Sequence, residues 1–311
     1  MGWTEAALPE LTSRVAIVTG ANSGIGWSVA RQLAAHGARV VIACRSAERG
    51  AAAAKRIRLR VRGAQVTVAP LDLADISSVR AFAEAWSEPV DLLVNNAGVM
   101  APPTLARTAD GYELQFGTNH LGHFVLTGLL LPWLLRAPGP RVVTVSSIAH
   151  FGGGTDVIEG NAGTPYRARK AYSNSKLANL LFAIELQRRS DAAGTALVST
   201  AAHPGVAATG LVSSRQGMGA NPFMRVIGSG FVKLFTQSAA AGARPMLYAA
   251  TEGEAGSYTG PLRFRQSRGA IGPAEQSALA GDEQLARQLW TVSEDLTGFR
   301  YSWPDPGSVA H

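Results

Sequence analysis

Tyr172 and Lys176 stand four residues apart in the run Tyr172-Ser173-Asn174-Ser175-Lys176. On a helix, residues at i and i+4 share a face, so the phenol and the ammonium are neighbours. A free tyrosine titrates near pH ~10, too high for an efficient base at neutral pH. An adjacent ammonium favours the phenolate and is expected to lower that value. Such a tyrosine can give a proton to a developing alkoxide or take one from an alcohol. Tyr166-Arg167-Ala168-Arg169-Lys170 repeats the spacing. Pro165 precedes it, and its charges suit an exposed approach. Tyr172 instead opens an apolar helix that packing can hold still, and a positioned acid needs rigid support. Tyr172 is the candidate proton donor and acceptor.

Two further polar residues fit the same chemistry. Ser147 follows the strand-like run Arg141 to Ser146, and side chains at the carboxyl ends of parallel strands face the ligand crevice. A hydroxyl there can donate to an oxygen as negative charge builds on it. Ser146 competes for that role, and on a strand the two point to opposite sides. Asn119, in Thr118-Asn119-His120-Leu121-Gly122, either holds a water that relays protons to Lys176 or is satisfied by backbone.

Near the start lies Thr19-Gly20-Ala21-Asn22-Ser23-Gly24-Ile25-Gly26, between an apolar strand and a helix. Glycines let such a turn approach a pyrophosphate, and the helix N-terminus offers unpaired N–H groups and a positive dipole end. The spacing is G-x-x-x-G-x-G, and a tight structural turn is the alternative reading. Gly20, Ser23, Gly24, Ile25 and Gly26 are the candidate phosphate contacts. Cys44 stands where a carboxylate would accept hydrogen bonds from an adenosine ribose, and Arg45 follows it. No acid repels a 2′-phosphate there and a guanidinium can pair with one, so NADP(H) is the expected cofactor, with Ser46 and Arg49 assisting. Asp72, followed by Leu73, closes the third strand. It either accepts from the adenine amino group or caps the next helix.

These residues need a scaffold. Val15 to Thr19, Arg39 to Ala43, Val66 to Leu71, Leu92 to Asn95, Arg141 to Ser146 and Ala196 to Ala202 read as strands. A last short strand begins at Tyr258. Helical patterns fill Ile25 to His36, Ser46 to Arg60, Ile76 to Trp86, Gly111 to Leu135, Ala171 to Arg189, Ala239 to Thr251 and Asp282 to Leu296. Short apolar runs alternating with helices indicate a parallel sheet covered on both faces. Leu211 to Phe235 is irregular and reads as a substrate lid, around 211–240. Its Phe223, Met224, Phe231, Val232 and Phe235 suit an apolar substrate, or else belong to the core or a subunit contact.

Composition narrows the class. The 311 residues are 46% hydrophobic and 16% charged, as in ordinary soluble proteins. One cysteine excludes an internal disulfide, so a reducing cytoplasm is the expected location. Met1 to Pro9 shows no secretory pattern. Phe124 to Leu135 is too short to span a bilayer and reads as a buried or interface helix. The net charge of +7 and the cluster Lys55 to Arg62 raise a nucleic-acid or membrane reading. No nucleic-acid module surrounds that cluster, and a solvated face explains it better. No repeat or composition break divides the chain, so residues 1–311 are expected to form a single domain.

Taken together, Thr19-Gly20-x-x-x-Gly24-x-Gly26, Asn95-Asn96-Ala97-Gly98, Asn119, Ser147 and Tyr172-x-x-x-Lys176 resemble the short-chain dehydrogenase/reductase family, in order and spacing from Arg14 to about Gly260. Ala43-Cys44-Arg45, Thr118 to Phe124, Ser175 to Asn179 and His203-Pro204-Gly205 resemble its retinol dehydrogenase and protochlorophyllide reductase-like branch. That branch carries a similar insertion before the catalytic tyrosine, with an extra upstream tyrosine matching Tyr166.

The resemblance implies one doubly wound Rossmann-type α/β domain with a seven-stranded parallel sheet and helices on both faces. It implies a tetrad of Asn119, Ser147, Tyr172 and Lys176, with Lys176 also reaching the nicotinamide ribose. Asn96, Ala97 and Gly98 would line the adenosine ribose. Pro204, Gly205 and Thr209 would meet the nicotinamide end. It also suggests a homodimer or homotetramer through the helices near Phe124 and Leu180. The expected activity is interconversion of a small apolar carbonyl and its alcohol by hydride transfer. A non-catalytic NADP(H) sensor and a same-fold alkene reductase are the alternatives.

Overall fold

The computed structural model describes residues 3–159, 165–205 and 238–305. Eight strands form one sheet: β1 (Val15–Thr19), β2 (Arg39–Cys44), β3 (Val66–Pro70), β4 (Leu92–Asn95), β5 (Arg141–Val145), β6 (Val198–Ala202), β7 (Tyr258–Arg263) and β8 (Arg268–Pro273). Their order is β3-β2-β1-β4-β5-β6-β7-β8. The first seven run parallel, as the resemblance implies, and β8 returns antiparallel to β7 as an edge strand. The sequence reading missed β8. Its Arg268-Gly269-Ala270-Ile271-Gly272-Pro273 is poor in β-branched residues, and a proline is tolerated there because only one side is paired.

The strands are apolar on both faces because both are covered. Along β1, Ala16 and Val18 join one core while Ile17 joins the other; along β2, Val40 and Ile42 alternate with Val41 in the same way. On the first face lie α1 (Gly24–Ala35), α2 (Ala47–Arg60) and α6 (Ala239–Thr251). On the second lie α3 (Ile76–Glu84), α4 (Gly122–Leu134) and α5 (Ala168–Ala192). Strand order reverses between β1 and β4, where such sheets open a crevice at the carboxyl ends of the strands.

The expected helix over 111–135 is interrupted. One turn, Leu114–Phe116, passes into a π turn, Gly117–Leu121, before α4 begins. The helices near Phe124 and Leu180, expected at a subunit interface, are instead covered by their own chain. α7 (Glu283–Thr297) and the segment after it lie over them. Trp290 stacks on Phe182 with centroids 5.8 Å apart and meets Phe124 edge-on at 5.0 Å. Tyr301 donates its hydroxyl to Phe124 O at 2.6 Å. A Cβ on Gly128 would collide with Phe299, so glycine is what lets this cover lie flat.

Among the described residues, no helix is long and apolar enough to cross a membrane. Leu211 to Phe235 and Thr209 lie outside the described residues, so the expected lid does too. Ser238 caps α6, its hydroxyl accepting from Ala241 N.

Candidate active site

The glycine turn ends β1 and opens α1. Gly20 and Gly24 have φ of +67° and +60°, which side-chain-bearing residues rarely adopt. Ser23 is the N-cap residue of α1, yet its side chain makes no capping bond. The first N–H groups of α1 therefore point at space that a Cβ on Gly24 would not fill, a cradle suited to a diphosphate. Gly26 answers a different need: a Cβ there would strike the Asn96 amide. Asn96 donates its Nδ2 to Thr19 O at 2.7 Å, and the backbone N–H groups of Asn96 and Ala97 both reach Thr19 Oγ1 at 2.9 Å. The loop after β4 is thus pinned to the end of β1, and Gly20 is the surface it lies against.

At the end of β2, Cys44 is buried, and burial pushes its thiol up. Arg45 projects outward, more than half exposed, with Nη1 3.8 Å from Asp72 Oδ2. Asp72 does not cap α3. Its Oδ1 accepts from Ala74 N at 3.0 Å, and Asp75 supplies the cap through Ser77 N and Ser78 N. Leu73 is buried against the core of the second face. A Cβ on Gly122 would meet it, so Leu73 packs directly on the start of α4.

The four catalytic candidates converge at the carboxyl ends of β4 and β5. Tyr172 and Lys176 lie one turn apart in α5, with Lys176 Nζ 5.7 Å from the Tyr172 ring centroid. Ser147 follows β5, its hydroxyl accepting from Ala149 N at 3.2 Å and acting on the Tyr172 phenol to favour its charged form. Lys176 Nζ donates to Val145 O at 3.1 Å. A Cβ on Gly98 would lie 3.1 Å from Asn119 Oδ1 and 3.7 Å from Lys176 Nζ, which puts all three groups around one small space. Ser146 is excluded from that space: its hydroxyl turns back to Lys176 O at 2.7 Å. Tyr166 is excluded as well. It lies before α5, donating to Glu113 Oε1 and accepting from Gln115 Nε2, both at 3.0 Å.

The electrostatics differ from the sequence expectation. Lys176 was expected to lower the Tyr172 phenol. Burial instead pushes that phenol up to about 12, and only the Ser147 hydroxyl opposes it. Burial also pulls Lys176 down to about 8. Both charged forms lose hydration, and this outweighs their mutual attraction. At neutral pH the phenol holds its proton and is ready to donate it.

Asn119 sits in the π turn, fully buried. Its side chain is satisfied within the protein: Oδ1 accepts from Val99 N at 2.8 Å, and Nδ2 donates to Val99 O and Ser175 Oγ. Of the two readings of Asn119, the amide follows the second. Its main-chain carbonyl accepts from His123 Nδ1 at 2.9 Å, and His123 Nε2 faces Thr19 Oγ1 at 2.9 Å. A carbonyl can only accept, so Nδ1 carries the proton, Nε2 is the acceptor, and Thr19 donates to it. Burial holds this ring down to about 4, in keeping with a neutral imidazole.

Other histidines frame the site in the same manner. His120 meets Ser293 of α7 at 2.8 Å. His150 Nδ1 bonds Ser147 O at 2.7 Å while its Nε2 accepts from Ser277 N. His203 accepts from Gly205 N through Nδ1 and meets Gln266 Oε1 through Nε2, both at 3.2 Å. Pro204 and Gly205 follow β6 at the same edge of the sheet. The sequence reading named His120 and His203 only within family motifs and did not name His150. His123, four residues after Asn119, carried the one local signal, since i and i+4 meet on a helix.

Comparisons with known proteins agree with this geometry. A family model described as short chain dehydrogenase matches residues 14–218. Human retinol dehydrogenase 12 is 40% identical over 295 residues, covering 94% of this chain and 89% of that protein. The crystal structure of an uncharacterised protein from Mycobacterium paratuberculosis is 43% identical, with a TM-score of 0.81, covering 97% of this chain and 100% of the other. The Pseudomonas aeruginosa RhlG/NADP active-site complex is 25% identical, with a TM-score of 0.61, covering 80% and 94%.

Proposed function

The chain belongs to the short-chain dehydrogenase family, with similarity to its retinol dehydrogenase branch, and from that premise we propose an NADP(H)-dependent oxidoreductase that reduces an apolar ketone or aldehyde to its alcohol. The observation that carries this reading is the placement of Lys176 Nζ 5.7 Å from the ring of the half-buried Tyr172, with the Ser147 hydroxyl beside the same phenol.

NADP(H) fits the residues present. The uncapped N-terminus of α1 and the turn Gly20 to Gly26 would hold the diphosphate. Arg45, loosely tied to Asp72, would turn to a 2′-phosphate, and no carboxylate stands at Cys44 to oppose it. The NADP complex of the similar RhlG structure supports the same cofactor. Asn96, Ala97 and Gly98 would flank its ribose, and Pro204 and Gly205 its nicotinamide end. When bound, the nicotinamide supplies the hydride.

The chain's own residues handle the proton and the oxygen. Tyr172 donates its phenolic proton to the substrate oxygen as charge develops there. Ser147, beside that phenol, would donate to the same oxygen and steady it. Lys176 keeps a positive charge near the phenolate left behind. Asn119 fixes the Val99 backbone and so the wall opposite Lys176. The name of the similar retinol dehydrogenase supports an apolar substrate. A reducing cytoplasm suits the free, buried Cys44.

The test is NADPH oxidation against a panel of apolar ketones and aldehydes, with Tyr172→Phe as control. Turnover is expected to fall by about 10³-fold or more while NADPH binding persists. Retained turnover would overturn the assignment. Tight NADPH binding without turnover on any carbonyl would favour a sensor.

A further inference from the structure

The described residues expose five large apolar side chains: Leu59, Leu105, Phe151, Leu262 and Phe264. Leu59 ends α2. The other four lie on segments at the carboxyl ends of strands: Leu105 after β4, Phe151 after β5, and Leu262 and Phe264 where β7 turns into β8. That is the edge on which the candidate site opens.

The β7–β8 turn has an unusual build. Phe264, Arg265 and Gln266 have φ of 54°, 53° and 59°, three consecutive residues in the left-handed region without a glycine. Each is disfavoured by its own Cβ. The turn is held by Ser267 N on Arg263 O at 3.0 Å, and by Gln266, which is buried. Gln266 Oε1 meets His203 Nε2 at 3.2 Å and accepts from Glu275 N at 3.1 Å. Pulling Gln266 inward in this backbone turns its neighbours out. Phe264 is 66% exposed and Leu262 50%. Arg263, Arg265 and Arg268 are exposed beside them, with Arg268 stacked on the Phe264 ring at 4.4 Å. From Ala255 to Ala274 the chain contains no acidic residue.

We propose that this hairpin tip docks on an anionic lipid bilayer, Leu262 and Phe264 entering the interface while the three arginines meet the headgroups. Aromatic and aliphatic tips flanked by arginine suit that boundary, where one layer is apolar and the next negatively charged. Strain held at three adjacent residues is accounted for by a surface role rather than by packing. Gln266 ties the tip to His203 and thereby to Gly205, so the docked face is the one through which an apolar substrate would enter. The choice of a bilayer over another polyanion rests in part on the substrate class proposed above. Docking is measured without turnover, so the two readings fail separately.

The experiment is cosedimentation of the full chain with vesicles of phosphatidylcholine alone and of equal phosphatidylcholine and phosphatidylglycerol. Binding is expected to the mixed vesicles only, and to weaken with salt. Replacing Arg263, Arg265 and Arg268 by Gln should weaken it by about a hundredfold, since each arginine near such a surface contributes roughly fivefold. Phe264→Ser should lower it at least about tenfold, and its thermal midpoint should match the parent because the ring is exposed. The variant carrying Leu59→Ser and Arg62→Gln, at and just beyond the end of α2, should bind as the parent does. Failure to bind the mixed vesicles overturns the proposal. So does loss of binding in the α2 variant with the hairpin variants unaffected. A parent dimer that Phe264→Ser converts to monomer also overturns it, by assigning the tip to a second copy.

Discussion

Thr19 Oγ1 and His123 Nε2 are 2.9 Å apart, joining the end of the first strand to the helix that follows Asn119. Thr19 also receives the Asn96 and Ala97 backbone, and His123 also holds the Asn119 carbonyl. One hydroxyl and one imidazole therefore set the nucleotide turn, the β4 loop and the Asn119 turn against each other. His123→Phe should remove this tie without adding a charge. Because displacement of about 1 Å can cost ~10²-fold in rate, kcat should fall about 10- to 100-fold. His123→Gln can still donate to the Asn119 carbonyl and should retain more activity. Equal kcat in parent and His123→Phe would remove His123 from the positioning role.

The pH profile follows from burial. With the Tyr172 phenol held up to about 12, it stays protonated through the neutral range and does not limit reduction there. Lys176, drawn down to about 8, loses its charge first. Carbonyl reduction should therefore decline as pH rises through about 8, while alcohol oxidation, which needs the phenolate form of Tyr172 to accept a proton, should rise with pH. Steady-state rates in both directions measure this. An inflection of the reduction rate near ~6.5 would point to a histidine instead.

Arg45→Ala should separate the two nicotinamide cofactors. Hydrogen bonds to charged groups contribute about 1.5–3 kcal/mol. NADPH binding should weaken by roughly 10- to 100-fold and NADH binding by far less. Fluorescence titration reads both. Equal weakening would end the case for 2′-phosphate recognition.

Acid should destabilise the protein through its buried imidazoles. His120, His123 and His203 are held down to about 3, 4 and 4 by desolvation, whereas the unfolded chain protonates them near ~6.5. The unfolded state thus binds more protons between those values. Stability is full above ~6.5 and is lost as pH falls toward the folded values, by up to roughly 3–5 kcal/mol per imidazole. Urea midpoints between pH ~7 and ~5 should fall, and His123→Phe should flatten the slope. A midpoint that does not change over this range would contradict the buried neutral assignment.

Trp290 is buried where α7 crosses α4 and α5. Trp290→Ala removes a large buried ring and should cost about 3–5 kcal/mol. Chemical denaturation would show it. A loss under about 1 kcal/mol would mean that α7 is a loose flap rather than part of the core.

Much of this was legible in the sequence, for identifiable reasons. β1 and β4 have the bounds their apolar runs suggested, because strands buried on both faces leave a continuous pattern. The Tyr172–Lys176 pair and the glycine turn are local motifs, and the structure sets Lys176 beside both the Tyr172 ring and, at Gly98, Asn119. What stayed hidden depends on distance along the chain. Thr19 and His123 are 104 residues apart, and no local pattern joins them. The direction of the Tyr172 shift was misread because spacing shows the neighbouring charge but not the loss of water around both groups. The covered faces of α4 and α5 were legible only as apolar, because an apolar helix looks the same whether its partner is another subunit or a later segment of its own chain.

His120, next to Asn119, bonds Ser293 of the last helix, and Tyr301 bonds the backbone of Phe124. The clasp over the Asn119 turn is thus made from residues that lie 173 and 177 positions further along the chain than their partners. A nascent chain can assemble its nucleotide cradle from β1 to β4 long before that clasp exists. Competence for proton transfer is then acquired only once Ser293 and Tyr301 have been made, and a copy truncated before them would be left able to grip a dinucleotide but poorly equipped to use it.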